Sequence, residues 1–182
     1  MPKDLNTKNT ALVLIDFQEK LFPAMYDKDK LLRNVVKLIR GAKVLEIPII
    51  LTEQYPKGLG PTIPEIKSLI PDIKPVEKVC FNCCDDDLFC TALDGLKRKQ
   101  LLIAGIEAHI CVYQTAIALV GAGYDVQVVG DCVASREPEN KVTALSRMVG
   151  EGVSLTTVEM ALFELLKEAK GDEFKQISKI VK

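Results

Sequence analysis

The sequence predicts an α/β fold: a single-domain, doubly wound, Rossmann-like sheet of about six mainly parallel strands with helices on both faces. Three observations predict it. Short apolar runs alternate with amphipathic stretches along the whole chain. The runs are rich in Val, Ile and Leu without polar alternation, as strands covered on both faces require. The chain's 182 residues, 48% of them hydrophobic, suffice to bury one sizeable core. No linker, internal repeat or low-complexity tract divides it, so the domain is expected to span residues 1–182.

The elements follow in order. Residues 10–15 (TALVLI) read as the first strand and 31–46 (LLRNVVKLIRGAKVLE) as an amphipathic helix. A second strand over 48–52 leads into the one long irregular segment, 55–71 (YPKGLGPTIPEIKSLIP). Long ordered loops in compact domains serve as lids or binding loops, so this one is expected over the site or an interface. Strand runs at 75–80, 100–106, 125–130 and 153–157 are each followed by a helical stretch, at 87–99, 111–124, 140–152 and 158–169. Gly121 and Gly123 mark a helix end, Thr156 to Glu159 reads as a capping box, and Asp172 is expected to cap a C-terminal helix.

Composition narrows the partners. Lys plus Arg (24) nearly balances Asp plus Glu (25) and the charges are scattered. That leaves no electrostatic footprint for nucleic acid or an anionic membrane, and a small-molecule substrate is expected. No apolar stretch reaches the roughly 18 residues of a membrane span, and the start, MPKDLNTKNT, lacks the apolar region of a signal peptide. Six cysteines in a chain of this length and apolarity read as reduced thiols rather than a disulfide framework, which points to the cytoplasm.

The single histidine, His109, removes whole mechanisms. One imidazole cannot assemble a His-rich zinc site. A Cys-His pairing with Cys111 fails too, because residues two apart on a helix do not face each other. Ligands of open α/β sheets bind at the carboxyl ends of the strands, and three reactive residues fall there: Asp16, Lys78 and Cys111. Cys111 is expected near the amino end of a helix, where free N–H groups and a nearby ammonium favour thiolate. An aspartate of suitable pKa acts as base for a thiol and then for water. Each residue also has an ordinary reading: a buried structural cysteine, a turn aspartate and a solvated lysine. It is their conjunction that points to one site.

The segments ALVLIDFQEKLF, VEKVCFNCC and LLIAGIEAHICVYQTAIALVGAGYDVQVVGDCVASR resemble the Asp, Lys and Cys motifs of the isochorismatase-like cysteine hydrolase superfamily, in that order and over nearly the whole chain. The segment TEQYPKGLGPTIPE is most similar to the small isochorismatase-domain-containing proteins of animals, protozoa and bacteria. The resemblance implies an Asp-Lys-Cys triad in which Asp16 deprotonates Cys111, Lys78 stabilises the charged pair, and the thiolate attacks an amide carbonyl to give a thioester. It implies a non-proline cis peptide between Ile106 and Glu107, with the backbone N–H groups of Glu107 and Cys111 forming an oxyanion hole. Homo-oligomers from dimer to octamer are common in the superfamily. Nicotinamidases carry an Asp-x-His metal cluster where this chain has Thr52, Glu53, Gln54 and Tyr55, so no metal and no cofactor is expected. Isochorismatases proper cleave a vinyl ether without a cysteine nucleophile, so Cys111 tilts the expectation toward a small amide or ureido C–N bond. Ether cleavage, and a non-catalytic scaffold that kept the fold, stay open.

Cys80, Cys83, Cys84 and Cys90 raise metal and redox readings, but no second C-x2-C pair stands at zinc-ribbon spacing. Phe81, Cys83 and Cys84 instead read as a pocket wall beyond Lys78. Phe17, Gln18, Gln54, Tyr55 and Tyr113 are further pocket candidates. Asp131 and Ser135 read as a turn aspartate and a helix-capping serine, and Arg136 as a surface ion pair or a carboxylate binder.

Overall fold

The computed structural model describes residues 4–182. Among them, six strands form one parallel sheet in the order β3-β2-β1-β4-β5-β6. The strands are β1 (Thr10–Ile15), β2 (Ile49–Gln54), β3 (Val76–Lys78), β4 (Gln100–Ile106), β5 (Asp125–Ala134) and β6 (Ser154–Thr156). The helices are α1 (Lys28–Val44), α2 (Pro56–Leu59), α3 (Pro64–Lys67), α4 (Asp87–Leu96), α5 (Tyr113–Gly121), α6 (Pro138–Gly150), α7 (Val158–Leu166) and α8 (Gly171–Val181). A π turn over Ala108–Val112 leads into α5.

Strand pleating sorts the core into two halves. On β1, Leu12 and Leu14 point to one face, where Leu31, Val35, Leu38 and Ile39 of α1 meet α7 and Ile177 of α8. Their neighbours Ala11, Val13 and Ile15 point to the other, against Phe89 and Leu93 of α4 and Val112, Ala116 and Leu119 of the α5 region. All six residues of β1 and all seven of β4 are buried, which is why neither strand shows polar alternation in sequence. The chain turns one way from β1, to β2 and β3, and the other way from β4, to β5 and β6. The β1–β4 boundary is therefore the topological switch point, where such sheets open a crevice at the strand ends.

The structure shifts several expected details. β5 runs four residues past 130, because the β4–β5 register slips between Ile103 and Gly105 and the strand resumes pairing at Val133. The cap of α7 is Thr157, whose hydroxyl accepts from the Met160 N–H at 3.3 Å, while Thr156 turns its hydroxyl to the Thr157 carbonyl. Asp172 lies inside the first turn of α8 and pairs with Lys175, and Lys170 occupies the capping position. Segment 55–71 contains α2 and α3 and is fastened rather than loose. Glu19 and Lys20 donate backbone N–H groups to Pro61 and Leu59, and Ile63 donates to Phe17. The buried Glu53 carboxylate accepts both the N–H and the hydroxyl of Thr62 at 2.7 Å.

Gly105 sits at the floor of the crevice, paired with Ile15. A Cβ there would stand 2.6 Å from Ile15 Cβ and 2.7 Å from its carbonyl oxygen, so the close approach of β1 and β4 requires glycine. Gly105→Ala is expected to lower unfolding free energy by about 1–3 kcal/mol. Gly95→Ala, at a helical position with nothing within 4 Å of the new methyl, is expected to raise it by about 0.5–1 kcal/mol. Urea denaturation of both variants checks the pair of signs.

Candidate active site

The ends of β1 and β3 supply the charged groups, and β2 between them supplies their neutral partners. The chain leaves β1 with Asp16 in the left-handed region at φ 57°, a conformation aspartate tolerates better than most residues. Its Oδ1 accepts the Thr52 hydroxyl at 2.7 Å and its Oδ2 accepts Lys78 Nζ at 2.9 Å. Both side chains of this ion pair are 0% exposed. Lys78, the last residue of β3, also donates to Gln54 Oε1 at 2.7 Å and to the Cys80 carbonyl at 3.1 Å. The parallel register sets this up, since Thr52 pairs with Ile15 and Gln54 with Lys78.

Cys111 enters from the other side of the switch point. The peptide between Ile106 and Glu107 is cis, and the chain then takes the wide π turn, with Val112 donating to the Glu107 carbonyl at 3.3 Å. Single π turns are frequent at functional sites. The Glu107 carboxylate is buried and accepts from the backbone N–H of Arg136 at 2.9 Å and from its Nε at 3.2 Å. Arg136, just after β5, is thus tied to Glu107, just after β4, with its own side chain 60% exposed. Cys111 is buried beside Cys83, whose N–H donates to Thr115 Oγ1 one turn further along.

The electrostatics reverse one expectation. Burial pushes the Cys111 thiol far up, the negative Asp16 pushes it further, and the opposing pull of Lys78 does not compensate. The resting residue is a thiol, not a thiolate, because desolvation of the anion outweighs the helix end. Cys83 behaves alike: burial raises it to about 12 against the pull of Lys78. Burial is the largest influence on Lys78 and lowers its proton affinity, but Asp16, Cys83 and Cys111 together outweigh it, and the net shift is upward.

The expected pocket residues divide. Phe17 is fully buried in the opposite core half against Phe22, with ring centroids 6.5 Å apart, and does not reach the cleft. Gln18 is saturated as a brace between β2 and Gly60. Gln54 turns its amide to Lys78 and Val79. Tyr55 is exposed and lines a cavity of about 320 Å³ with Lys57, Glu77, Lys78, Val79 and Asp86. Phe81 is exposed and Cys84 partly so, while Cys83 is enclosed, so only part of 81–84 forms an open wall. Tyr113 is half-buried beneath Arg147, whose Cζ lies 4.8 Å from the ring centroid. Cys90 Sγ contacts the Cys84 carbonyl. Asp131 is not a turn aspartate; it lies within β5 and its carboxylate accepts the Val158 N–H at the start of α7. Ser135 caps no helix; its hydroxyl meets His109 Nδ1 at 2.9 Å, and Glu137 precedes α6.

Four participants lay beyond the sequence reading: the Thr52 bond to Asp16, the Glu53–Thr62 latch, the Glu107–Arg136 clamp and the Ser135–His109 contact. Each is a pairing across strands or turns, and no local pattern encodes it.

The family model of the isochorismatase domain matches residues 10–160. The chain belongs to the isochorismatase family. It is 38% identical over 177 residues to isochorismatase domain-containing protein 2 of Danio rerio, covering 97% of this chain and 89% of that relative. A structure described as MAR1 ribonuclease from Caenorhabditis elegans superimposes with a TM-score of 0.92 at 34% identity, over 98% of this chain and 92% of that one. The YcaC gene product of Escherichia coli, described as an octameric hydrolase of unknown specificity, gives a TM-score of 0.92 at 30% identity, over 97% and 88%. The family has a hydrolase fold, and the six-stranded parallel sheet with its flanking helices is that fold. Among the described residues, no helix is long and apolar enough to cross a membrane.

Two outcomes follow from the buried groups. A buried thiol keeps its proton in the folded state, whereas in the unfolded chain it ionises near 9.0. Stability should therefore fall as pH rises above that value, by about 1.4 kcal/mol at about pH 10 for each of Cys83, Cys111 and Cys132. Lys78 adds little slope there, because its contribution is nearly complete below the unfolded 10.5 and is lost mainly at higher pH. Urea denaturation at about pH 8 and pH 10 reads the sum. Thr52→Val removes a hydrogen bond to a buried carboxylate and is expected to cost about 1.5–3 kcal/mol, read in the same assay.

Proposed function

We propose that this protein is a metal-independent cysteine hydrolase that cleaves a small amide or ureido C–N bond through a thioester at Cys111. The observation that carries the reading is the buried Asp16–Lys78 pair at the strand ends facing a thiol on a π turn. Asp16 takes the thiol proton as sulfur attacks the carbonyl carbon. Charge then moves onto the carbonyl oxygen, which the backbone N–H groups of Glu107 and Cys111 receive. Preorganised donors of this kind act where charge develops, not on the resting substrate.

The tetrahedral intermediate collapses by breaking the C–N bond, and the proton held by Asp16 leaves with the amine or ammonia. Asp16 next removes a proton from water, which attacks the thioester. The acid departs and the proton returns to sulfur. Because the resting thiol is neutral, the anion exists only while substrate is being attacked, and the fixed positive charge of Lys78 offsets it at that moment. No step calls for a metal or an organic cofactor.

A homo-oligomer is part of this reading, supported by the octamer described for the E. coli relative. Six cysteines without a disulfide framework support a reducing, cytoplasmic setting. The name of the C. elegans relative places RNA among the substrates to be tried beside amides.

Cys111→Ala is expected to abolish ammonia or amine release across a panel of small amides and ureido compounds while leaving the circular dichroism spectrum unchanged. Asp16→Asn should lower kcat/KM roughly 10²–10⁴-fold, the usual contribution of a positioned base. Unimpaired turnover in Cys111→Ala, with ether cleavage or RNA cleavage as the surviving activity, would remove the thioester reading.

A further inference from the structure

We infer that Gln54 is a positioning residue that fixes Lys78 as a fully charged partner of Asp16, and that Lys78 makes no bond to substrate. This rests on the thioester reading of Cys111. An ammonium carries three N–H donors and no acceptor. Lys78 uses all three, on Asp16 Oδ2 at 2.9 Å, Gln54 Oε1 at 2.7 Å and the Cys80 carbonyl at 3.1 Å. With 2% of its surface exposed it has no donor left to offer a ligand.

The orientation of Gln54 is dictated from every side. Its Nε2 donates to the Val79 carbonyl at 2.7 Å, so the amide oxygen has to face Lys78. Its backbone N–H donates to Gln18 Oε1 at 2.7 Å, and its backbone carbonyl accepts Gln18 Nε2 at 2.9 Å. Gln18 Nε2 is held in turn by the Gly60 carbonyl. A continuous series of bonds therefore runs from Gly60 through Gln18, Gln54 and Lys78 to Asp16 and Thr52, with donor and acceptor assigned at each link.

The chemistry explains why an amide suits this position. A carboxylate at 54 would draw Lys78 away from Asp16 and add negative charge where the Cys111 proton must leave. An apolar side chain would strand one buried N–H of the ammonium. The neutral carbonyl of Gln54 satisfies the third donor and leaves the positive charge of Lys78 to act on Asp16 and on the sulfur. The other titratable groups facing the pair are Cys80, Cys83 and Cys111, with Asp85 and Asp86 beyond Cys80.

Site-resolved alkylation of Cys111 by iodoacetamide, followed by mass spectrometry from about pH 6 to pH 10, reads this directly. Gln54→Glu is expected to move the profile to higher pH by about one unit, a roughly tenfold loss of rate at about pH 8. Gln54→Met, which keeps the volume without the acceptor, should move it the same way, and it decides the matter if circular dichroism shows Gln54→Glu unfolded. Profiles that superimpose on the wild type would overturn the inference, since a purely structural role changes stability and not the pH at which the thiol reacts. Alkylation needs no amide substrate, so a shifted profile in a protein whose turnover survives Cys111→Ala would leave Gln54 positioning intact and remove only the thioester reading.

Discussion

The ion pair between Asp16 and Lys78 is the constraint around which the rest is arranged. Both side chains are out of water, and ions so placed are costly unless every remaining donor and acceptor finds a partner. Thr52, Gln54 and the Cys80 carbonyl are those partners, and they come from β2 and from the residues just after β3. Three adjacent strands must therefore end in register. The Gln18 and Glu53 bonds then fasten segment 55–62 over those ends and keep them from fraying.

Across the switch point the arrangement is different in kind. The Cys111 side is made from backbone, a cis peptide and a π turn, with the Glu107–Arg136 clamp fixing the turn from outside. Permanent charge stands on one side of the crevice and oriented dipoles on the other. A neutral thiol lies between them, kept neutral by burial and by Asp16. In the proposed reaction such a site stores little reactive anion while idle, and its nucleophile forms where a substrate already receives the developing charge.

The sheet and the gathering of Asp16, Lys78 and Cys111 near its strand ends were legible in the sequence, for a physical reason. Fully buried parallel strands leave uninterrupted apolar runs, and a polar residue directly after such a run stands at the crevice, as Asp16 does after β1; Lys78 instead closes the short, half-exposed β3, and Cys111 sits on the π turn beyond β4. What stayed hidden depends on partners distant in the chain. Thr52 and Gln54 read as the end of a strand, and only the register of β1, β2 and β3 turns them toward the ion pair. Phe17 read as a pocket residue because it follows Asp16, yet the left-handed turn at Asp16 sends its ring into the opposite core half. The protonation of Cys111 was misread because sequence shows the helix start but not the depth of burial.

The two bonds between Gln18 and the backbone of Gln54 have a meaning beyond bracing. A primary amide offers one carbonyl and one N–H pointing the same way, as the N–H and carbonyl of a single strand residue do. Gln18 therefore acts as a tethered rung of sheet, set beside β2 at the level where β1 has already turned aside. The detour that aims the carboxylate of Asp16 into the crevice leaves no gap in the ladder, because a side chain has stepped into the missing place.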